Sequence, residues 1–285
     1  MLSRKIIIPT KPGLVSSNKR NIMRKISARF LIIAFLASLV LGCEENAIPE
    51  VTEPVAGEMS YVKFFFHAED APDAGFFLND EKITAANSSS EDEEQALDYT
   101  SVYPSNAYAV IPSGSGDLQV RTLDDQDLAS TSITTEAQNY YSAYLVGISD
   151  NYEIAFIEDN LPEPNHDLIY WRFVNTMANI PFSVDVYAIR AAVPETENSP
   201  AEDAQVISLG QGITYMSAGD YTELEPGSYT FKVFPSGTDY DPQESESFIQ
   251  HGLTLASLGR VYTTQIRGTY SEDPSSSHID YWRDR

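Results

Sequence analysis

The sequence predicts an all-β protein made of two copies of one β domain, and three observations carry this. Strand-forming aromatics are abundant, with 17 Tyr and 13 Phe among 285 residues, whereas Lys- and Ala-rich helical stretches are scarce. Short segments alternate apolar and polar side chains, as Leu118, Val120 and Thr122 do with Gln119 and Arg121, which is the period of a half-buried strand. The order of these segments repeats on either side of a proline-rich midpoint.

Residues 1–42 read as an export signal. Met23-Arg24-Lys25 supplies charge, Phe30 to Leu41 is a nearly unbroken apolar run, and Gly42 precedes Cys43, the only cysteine. About a dozen apolar residues fall short of the roughly 20 that a spanning helix needs, and fit a signal h-region. The layout resembles a bacterial lipoprotein signal, in which the cysteine is acylated and becomes the new N-terminus. Leu41 departs from the small residue usual two places before that cysteine, and a start at Met23 gives a signal of ordinary length. A single Cys makes no internal disulfide, and once lipidated it leaves no free thiol for catalysis.

Such a signal removes eight Lys and Arg and no acid, so 10 of the 18 basic residues remain against 42 acids, a formal charge of −32. That field repels phosphate and disfavours nucleic acid as a partner. It also repels anionic head groups, so lipid and not a basic patch holds the chain to its membrane.

Residues 43–57, with Pro49, Pro54 and several acids, read as a flexible tether. Glu44-Glu45 resembles the acidic signal that sends lipoproteins of Bacteroidota to the outer face of the outer membrane. The expected location is therefore the outer membrane at the cell surface, with its periplasmic face as the alternative.

The first domain spans 58–160. Tyr61 to Phe66 is too apolar on both faces for an edge and reads as a central strand. Gly75 to Asn79 follows the break at Pro72, and Asn87 to Glu94 is a polar, acidic insertion. Val102-Tyr103, Tyr108 to Ile111, Leu118 to Leu123, Leu128 to Thr135, Tyr140 to Ile148 and Tyr152 to Ile157 read as strands, with Ser113-Gly114-Ser115-Gly116 as a hairpin turn. Residues 161–166, Leu161-Pro162-Glu163-Pro164-Asn165-His166, form the linker.

The second domain spans 167–270. Ile169 to Val174, Phe182 to Ile189, Ser228 to Phe234 and Arg260 to Arg267 read as its strands, Glu195 to Asp203 as a second acidic insertion, and 271–285 as a polar tail. Phe64 to Leu78 parallels Trp171 to Tyr187, and Tyr108 to Arg121 parallels Tyr221 to Val233. Tyr141 to Gly147 parallels Tyr262 to Gly268.

Three segments carry a family likeness: Val184-Asp185-Val186-Tyr187, Pro226-Gly227-Ser228-Tyr229-Thr230-Phe231-Lys232-Val233 and Gly259-Arg260-Val261-Tyr262-Thr263. Through them the chain resembles the domain of unknown function 4397 family, in tandem. The first copy departs, with Gly75-Phe76-Phe77-Leu78 and Ser115-Gly116-Asp117-Leu118 at the matching places. The resemblance covers about residues 58 to 270 and implies two tandem immunoglobulin-like or transthyretin-like antiparallel β-sandwich domains. It supplies no catalytic residues and no cofactor.

Candidate chemistry is sparse. His67, His166, His251 and His278 stand at no ligand spacing, and no Gly-x-Ser-x-Gly or phosphate-binding glycine loop occurs. Asp124, Asp125 and Asp127, and separately Asp239 and Asp241, are weak calcium candidates without EF-hand spacing. Tyr140, Tyr141, Tyr144, Tyr170, Trp171 and Trp282 could form sugar-stacking platforms or pack the sheets. The expected protein is a lipid-anchored, non-catalytic binding or scaffolding component of the envelope, with a glycan or an envelope protein as partner. The alternatives are a surface glycan-binding lipoprotein and a filament or adhesion component of fimbrillin type, the latter favoured if a strand near residues 44 to 62 is removable.

Overall fold

A computed structural model describes residues 58–84, 96–197, 200–271 and 278–285. Cys43, the signal, the tether and the insertion Asn87–Glu94 lie outside them. Among the described residues no helix is long and apolar enough to cross a membrane.

Among the described residues nine strands make the first domain: β1 (Met59–Phe66), β2 (Ala74–Leu78), β3 (Glu81–Lys82), β4 (Val102–Tyr103), β5 (Ala109–Pro112), β6 (Gly114–Thr122), β7 (Asp127–Thr135), β8 (Tyr140–Ile148) and β9 (Asn151–Glu158). Nine more make the second: β10 (Ile169–Asn175), β11 (Val184–Arg190), β12 (Gln205–Ile213), β13 (Ser217–Ala218), β14 (Thr222–Leu224), β15 (Gly227–Pro235), β16 (Ile249–Leu255), β17 (Val261–Arg267) and β18 (His278–Arg283). In the first, a five-stranded sheet of order β4-β1-β8-β9, with β5 also on β1, faces a four-stranded sheet β3-β2-β6-β7. In the second, β13-β10-β17-β18, with β14 on β10, faces β12-β11-β15-β16. The sets match strand for strand, so each domain is a β-sandwich and the fold is all-β.

Pairing is antiparallel except at the centre of each larger sheet, where β1 runs parallel to β8 and β10 parallel to β17. The chain reaches each parallel partner by passing through the opposite sheet, so no crossover helix is needed. Register confirms the repeat: Val62 lies opposite Tyr141, and Trp171 opposite Tyr262, so Tyr141 and Tyr262 are counterparts.

Alternation places the cores. Leu118 and Val120 of β6 point inward with Val62, Phe64, Phe66 and Phe76, while Val184, Val186 and Ala188 of β11 meet Trp171, Phe173, Phe231 and Val233. Lys63 and Phe65 of β1 are buried as well, on the opposite face, which accounts for the unbroken apolar run there.

Two sequence expectations are corrected. Ser113-Gly114-Ser115-Gly116 is no hairpin turn: β5 pairs with β1 in one sheet and β6 with β2 and β7 in the other. The chain switches sheets here, bending at Gly114 with φ 118°, a region glycine enters without steric cost. The polar tail 271–285 ends in β18, which lies antiparallel to β17 from Tyr262–Arg283 to Arg267–His278 and is the counterpart of β9. Among the strands without an advance signal, β12 and β16 are long but interrupted by glycine, at Gly210, Gly212 and Gly252.

Candidate functional site

The outward faces of the two larger sheets pack against each other, and the richest polar chemistry in the protein is sealed between them. In the middle, Phe65, Tyr144, Val146 and Ala155 of the first domain meet Val174, Ala218 and Trp282 of the second. Phe65 stacks on Tyr144 at 4.4 Å between ring centroids.

One end of this seam is ionic. Lys63 of β1 lies opposite Ser142 of β8, and Arg172 of β10 opposite Thr263 of β17, so Lys63 and Arg172 are counterparts. Asp159 follows β9 and Asp284 follows β18 in the same way. Each acid is held by its own domain: Asp159 accepts from Tyr108 at 2.9 Å and Ser142 at 2.7 Å, and Asp284 from Tyr221 at 3.0 Å and Thr263 at 2.6 Å. Each is then paired with the cation of the other domain. The guanidinium of Arg172 donates to Asp159, and Lys63 Nζ lies 3.8 Å from Asp284. All four charged side chains are at most 2% exposed.

The two pairs are unequal. Burial works against the charge on Arg172, but the Asp159 carboxylate beside it keeps its pKa well above the ordinary value. Lys63 donates to the Arg283 carbonyl at 2.7 Å and stands over the Tyr108 ring. Burial pushes its pKa down and that of Asp284 up, both toward the neutral form, as a looser pair requires.

At the other end, His67 Nδ1 and Thr176 Oγ1 are 2.7 Å apart, and they too are counterparts, four residues beyond Lys63 and Arg172. The Thr176 hydroxyl donates to the Ile266 carbonyl at 2.7 Å, so the imidazole nitrogen donates to Thr176. Arg267 beside them donates to Tyr99 at 2.6 Å and pairs with Asp280.

Burial, and then the charge of Arg267, lowers the His67 pKa from 6.5 to about 3. The unfolded chain therefore takes up this proton first. The contribution is intact above pH 6.5 and is lost as pH falls from 6.5 to about 3, at up to about 1.4 kcal/mol per pH unit. Urea midpoints of wild type and His67→Asn at pH 7, 5 and 4 are expected to show a weaker acid dependence in the variant; parallel curves would contradict it.

The residues singled out in the sequence disperse. Asp125 and Asp127 surround Arg121, at 3.6 and 3.0 Å, in the turn from β6 to β7. The Asp241 carboxylate accepts from the Gln243 amide at 2.9 Å within its own turn. Asp124 and Asp239 are exposed, and the two sets belong to different domains. Among the described residues no three His, Cys, Asp or Glu side chains are grouped so as to hold a metal ion. Tyr141, Tyr144, Tyr170 and Trp171 are buried in sheet packing, with Tyr140 and Trp282 partly so.

A second polar cluster lies on the outer face of the second domain, at the Val-Asp-Val-Tyr segment. Asp185 accepts from Ser236 at 2.5 Å, Tyr240 at 2.6 Å and the Gly212 amide at 2.7 Å, and Tyr240 stacks on Phe234. Burial works to raise the Asp185 pKa, but these donors hold it below the ordinary value. The loop after β15 is thereby fastened over the sheet.

Sequence reasoning missed the ionic seam. Its available signal was a basic residue at one register in two otherwise apolar strands, Lys63 and Arg172, each joined by an aspartate just past the last strand of its domain.

Two sandwiches packed through their larger sheets define a tandem β-sandwich protein. The family model described as Domain of unknown function (DUF4397) matches residues 60–187, and over this stretch the chain is similar to that family. The match runs from β1 through β11, taking in Val184–Tyr187 but not the segments at 226–233 and 259–263. No curated protein matches. Among solved structures, a candidate cell adhesion protein from Bacteroides ovatus overlaps 81% of this chain and 99% of its own, at 9% identity and TM-score 0.24. Another from Bacteroides fragilis overlaps 74% and 77%, at 8% and 0.23. A carbohydrate-binding module from Eubacterium rectale, in complex with maltoheptaose, overlaps 78% and 96%, at 8% and 0.21.

Proposed function

We propose that this chain is a lipid-anchored envelope protein whose two sandwiches act as one rigid, non-catalytic binding or scaffolding unit. The observation that carries this reading is the sealed seam. Lys63, Arg172, Asp159 and Asp284 are the strongest polar constellation in the protein, and they face each other at 0–2% exposure, where a substrate does not reach them. Charges so placed fix two bodies in one orientation. The acidic surface and the signal-like run ending at Cys43 support display outside the cytoplasm, on the outer membrane at the cell surface, with the periplasmic face as the alternative. The fimbrillin-type alternative turns on residues 44 to 62: residues 44–57 lie outside the described residues, and β1, from Met59, is held between β5 and β8.

Metabolic labelling with an alkyne fatty acid tests the anchor. Wild type is expected to carry label and to partition with membranes, and Cys43→Ala to lose both; label that persists in the variant would refute lipidation at this residue. Protease shaving of intact and lysed cells then decides the face. Loss of the second domain from intact cells supports surface display, and loss only after lysis places the chain in the periplasm.

A further inference from the structure

Above the ionic end of the seam lies a cleft of about 310 Å³, at the lower end of the roughly 300–1,000 Å³ range of ligand clefts and at a domain junction, where such clefts concentrate. Gln138, Asn139 and Tyr140, at and before the start of β8, form one wall. Glu158 and Asn160, at the exit from β9, form another, and Arg285 closes the cleft from the second domain.

The walls are held in place from below. The Tyr140 ring stacks on Tyr61 at 4.7 Å and meets Tyr108 edge-on at 5.0 Å, and the Tyr108 hydroxyl is fixed to Asp159. Asn139 donates to Glu158 at 2.9 Å, and Arg285 donates to the Pro162 carbonyl, holding the linker down. The side chains of Gln138 and Asn160 are exposed and make no side-chain hydrogen bond among the described residues. Each amide offers both a donor and an acceptor.

We infer that this cleft binds a neutral, hydroxyl-rich sugar unit, with Tyr140 as the apolar wall and Gln138 and Asn160 as hydrogen-bonding partners. A sugar hydroxyl both donates and accepts, as these amides do, and the C–H face of a pyranose packs against an aromatic ring. Glu158 in the cleft and the net charge of −24 on the chain repel uronates, sulfates and phosphates. Among the described residues the site has no copy in the second domain. Tyr140 has Val261 as its register counterpart in the second domain, and Asn160 has Arg285. This inference rests on the binding reading proposed above and names the ligand class for it.

The test applies the purified full chain to an array of neutral oligosaccharides (gluco-, xylo- and manno-oligosaccharides) and acidic ones (sialylated and uronate-containing). Retention of at least one neutral class is expected. It should fall about tenfold in Asn160→Ala and in Tyr140→Ala, the scale of one lost hydrogen bond or ring contact, and stay unchanged in Tyr281→Ala, an exposed aromatic elsewhere. Asn160 is exposed and has no side-chain hydrogen bond to lose among the described residues, so that variant remains informative if Tyr140→Ala unfolds. No neutral glycan retained, retention of acidic glycans alone, or retention indifferent to Asn160→Ala would overturn the inference. Lipidation and shaving are read separately, so failure here leaves the envelope reading to its own test.

Discussion

Arg172→Ala is expected to lower the unfolding free energy by about 3–5 kcal/mol, because it leaves a buried carboxylate without its counter-charge. Asp159 is 0% exposed at its side chain and keeps only the hydroxyls of Tyr108 and Ser142. Removing both charges, in Arg172→Met with Asp159→Leu, is expected to cost less than either single change, since no uncompensated ion remains. Lys63→Met should also cost less than Arg172→Ala. Its partner Asp284 is 3.8 Å away and already biased toward protonation by burial, so it can shed its charge. Urea denaturation of these variants checks the order, and an Arg172→Ala variant within about 1 kcal/mol of wild type, the scale of an exposed pair, would refute it.

Trp171→Ala is the second large effect, expected at about 3–5 kcal/mol for a buried aromatic replaced by a methyl group. The indole is 0% exposed, stacked on Tyr262 at 4.7 Å and tilted against Phe231 at 5.0 Å, and its Nε1 donates to Thr264. Trp171→Phe should lose less, because it keeps a ring among these neighbours. Trp282, the other tryptophan of the two in the chain, remains as a fluorescent reporter and sits in the seam against Phe65. If the seam couples the sandwiches, the destabilised variant still unfolds in one transition by both fluorescence and far-UV dichroism. Two separated transitions would contradict the rigid unit.

The fold was largely legible because its strongest signals are local. Alternation on β6 and β11 marked which side chains face the core, and the run Lys63-Phe64-Phe65-Phe66 marked a strand buried on both faces. What escaped depended on pairing over long sequence distance. β18 carries His278, Asp280 and Arg283, and Asp284 follows it, at positions that read as a solvated tail, yet Asp280 and Asp284 are drawn into pairs with Arg267 and Lys63 from elsewhere. β12 alternates only weakly because its edge faces solvent and Gly210 packs against Ile213, whose Cδ1 would stand 2.6 Å from an added Cβ. The seam was hidden for the same reason. Lys63 and Asp284 are 221 positions apart, and a lysine in an apolar strand does not name its partner. The cleft over the seam combines an ordinary strand start with a linker and the last residue, and no spacing rule joins these three.

The reciprocal seam has the logic of an obligate homodimer carried inside one polypeptide. Each half supplies a cation, an acid and the two hydroxyls that hold that acid, and each acid meets the cation of the other half. Because residues 160–168 tie the halves together, assembly does not depend on protein concentration, and dilution does not separate them. Covalent linkage also removes a constraint that a true dimer imposes, in which every substitution appears twice across the axis. Here Lys63 has diverged from Arg172, Ser142 from Thr263, Tyr144 from Gln265 and His67 from Thr176, each without doubling. That freedom lets one lip of the seam become a cleft while its symmetry mate stays plain.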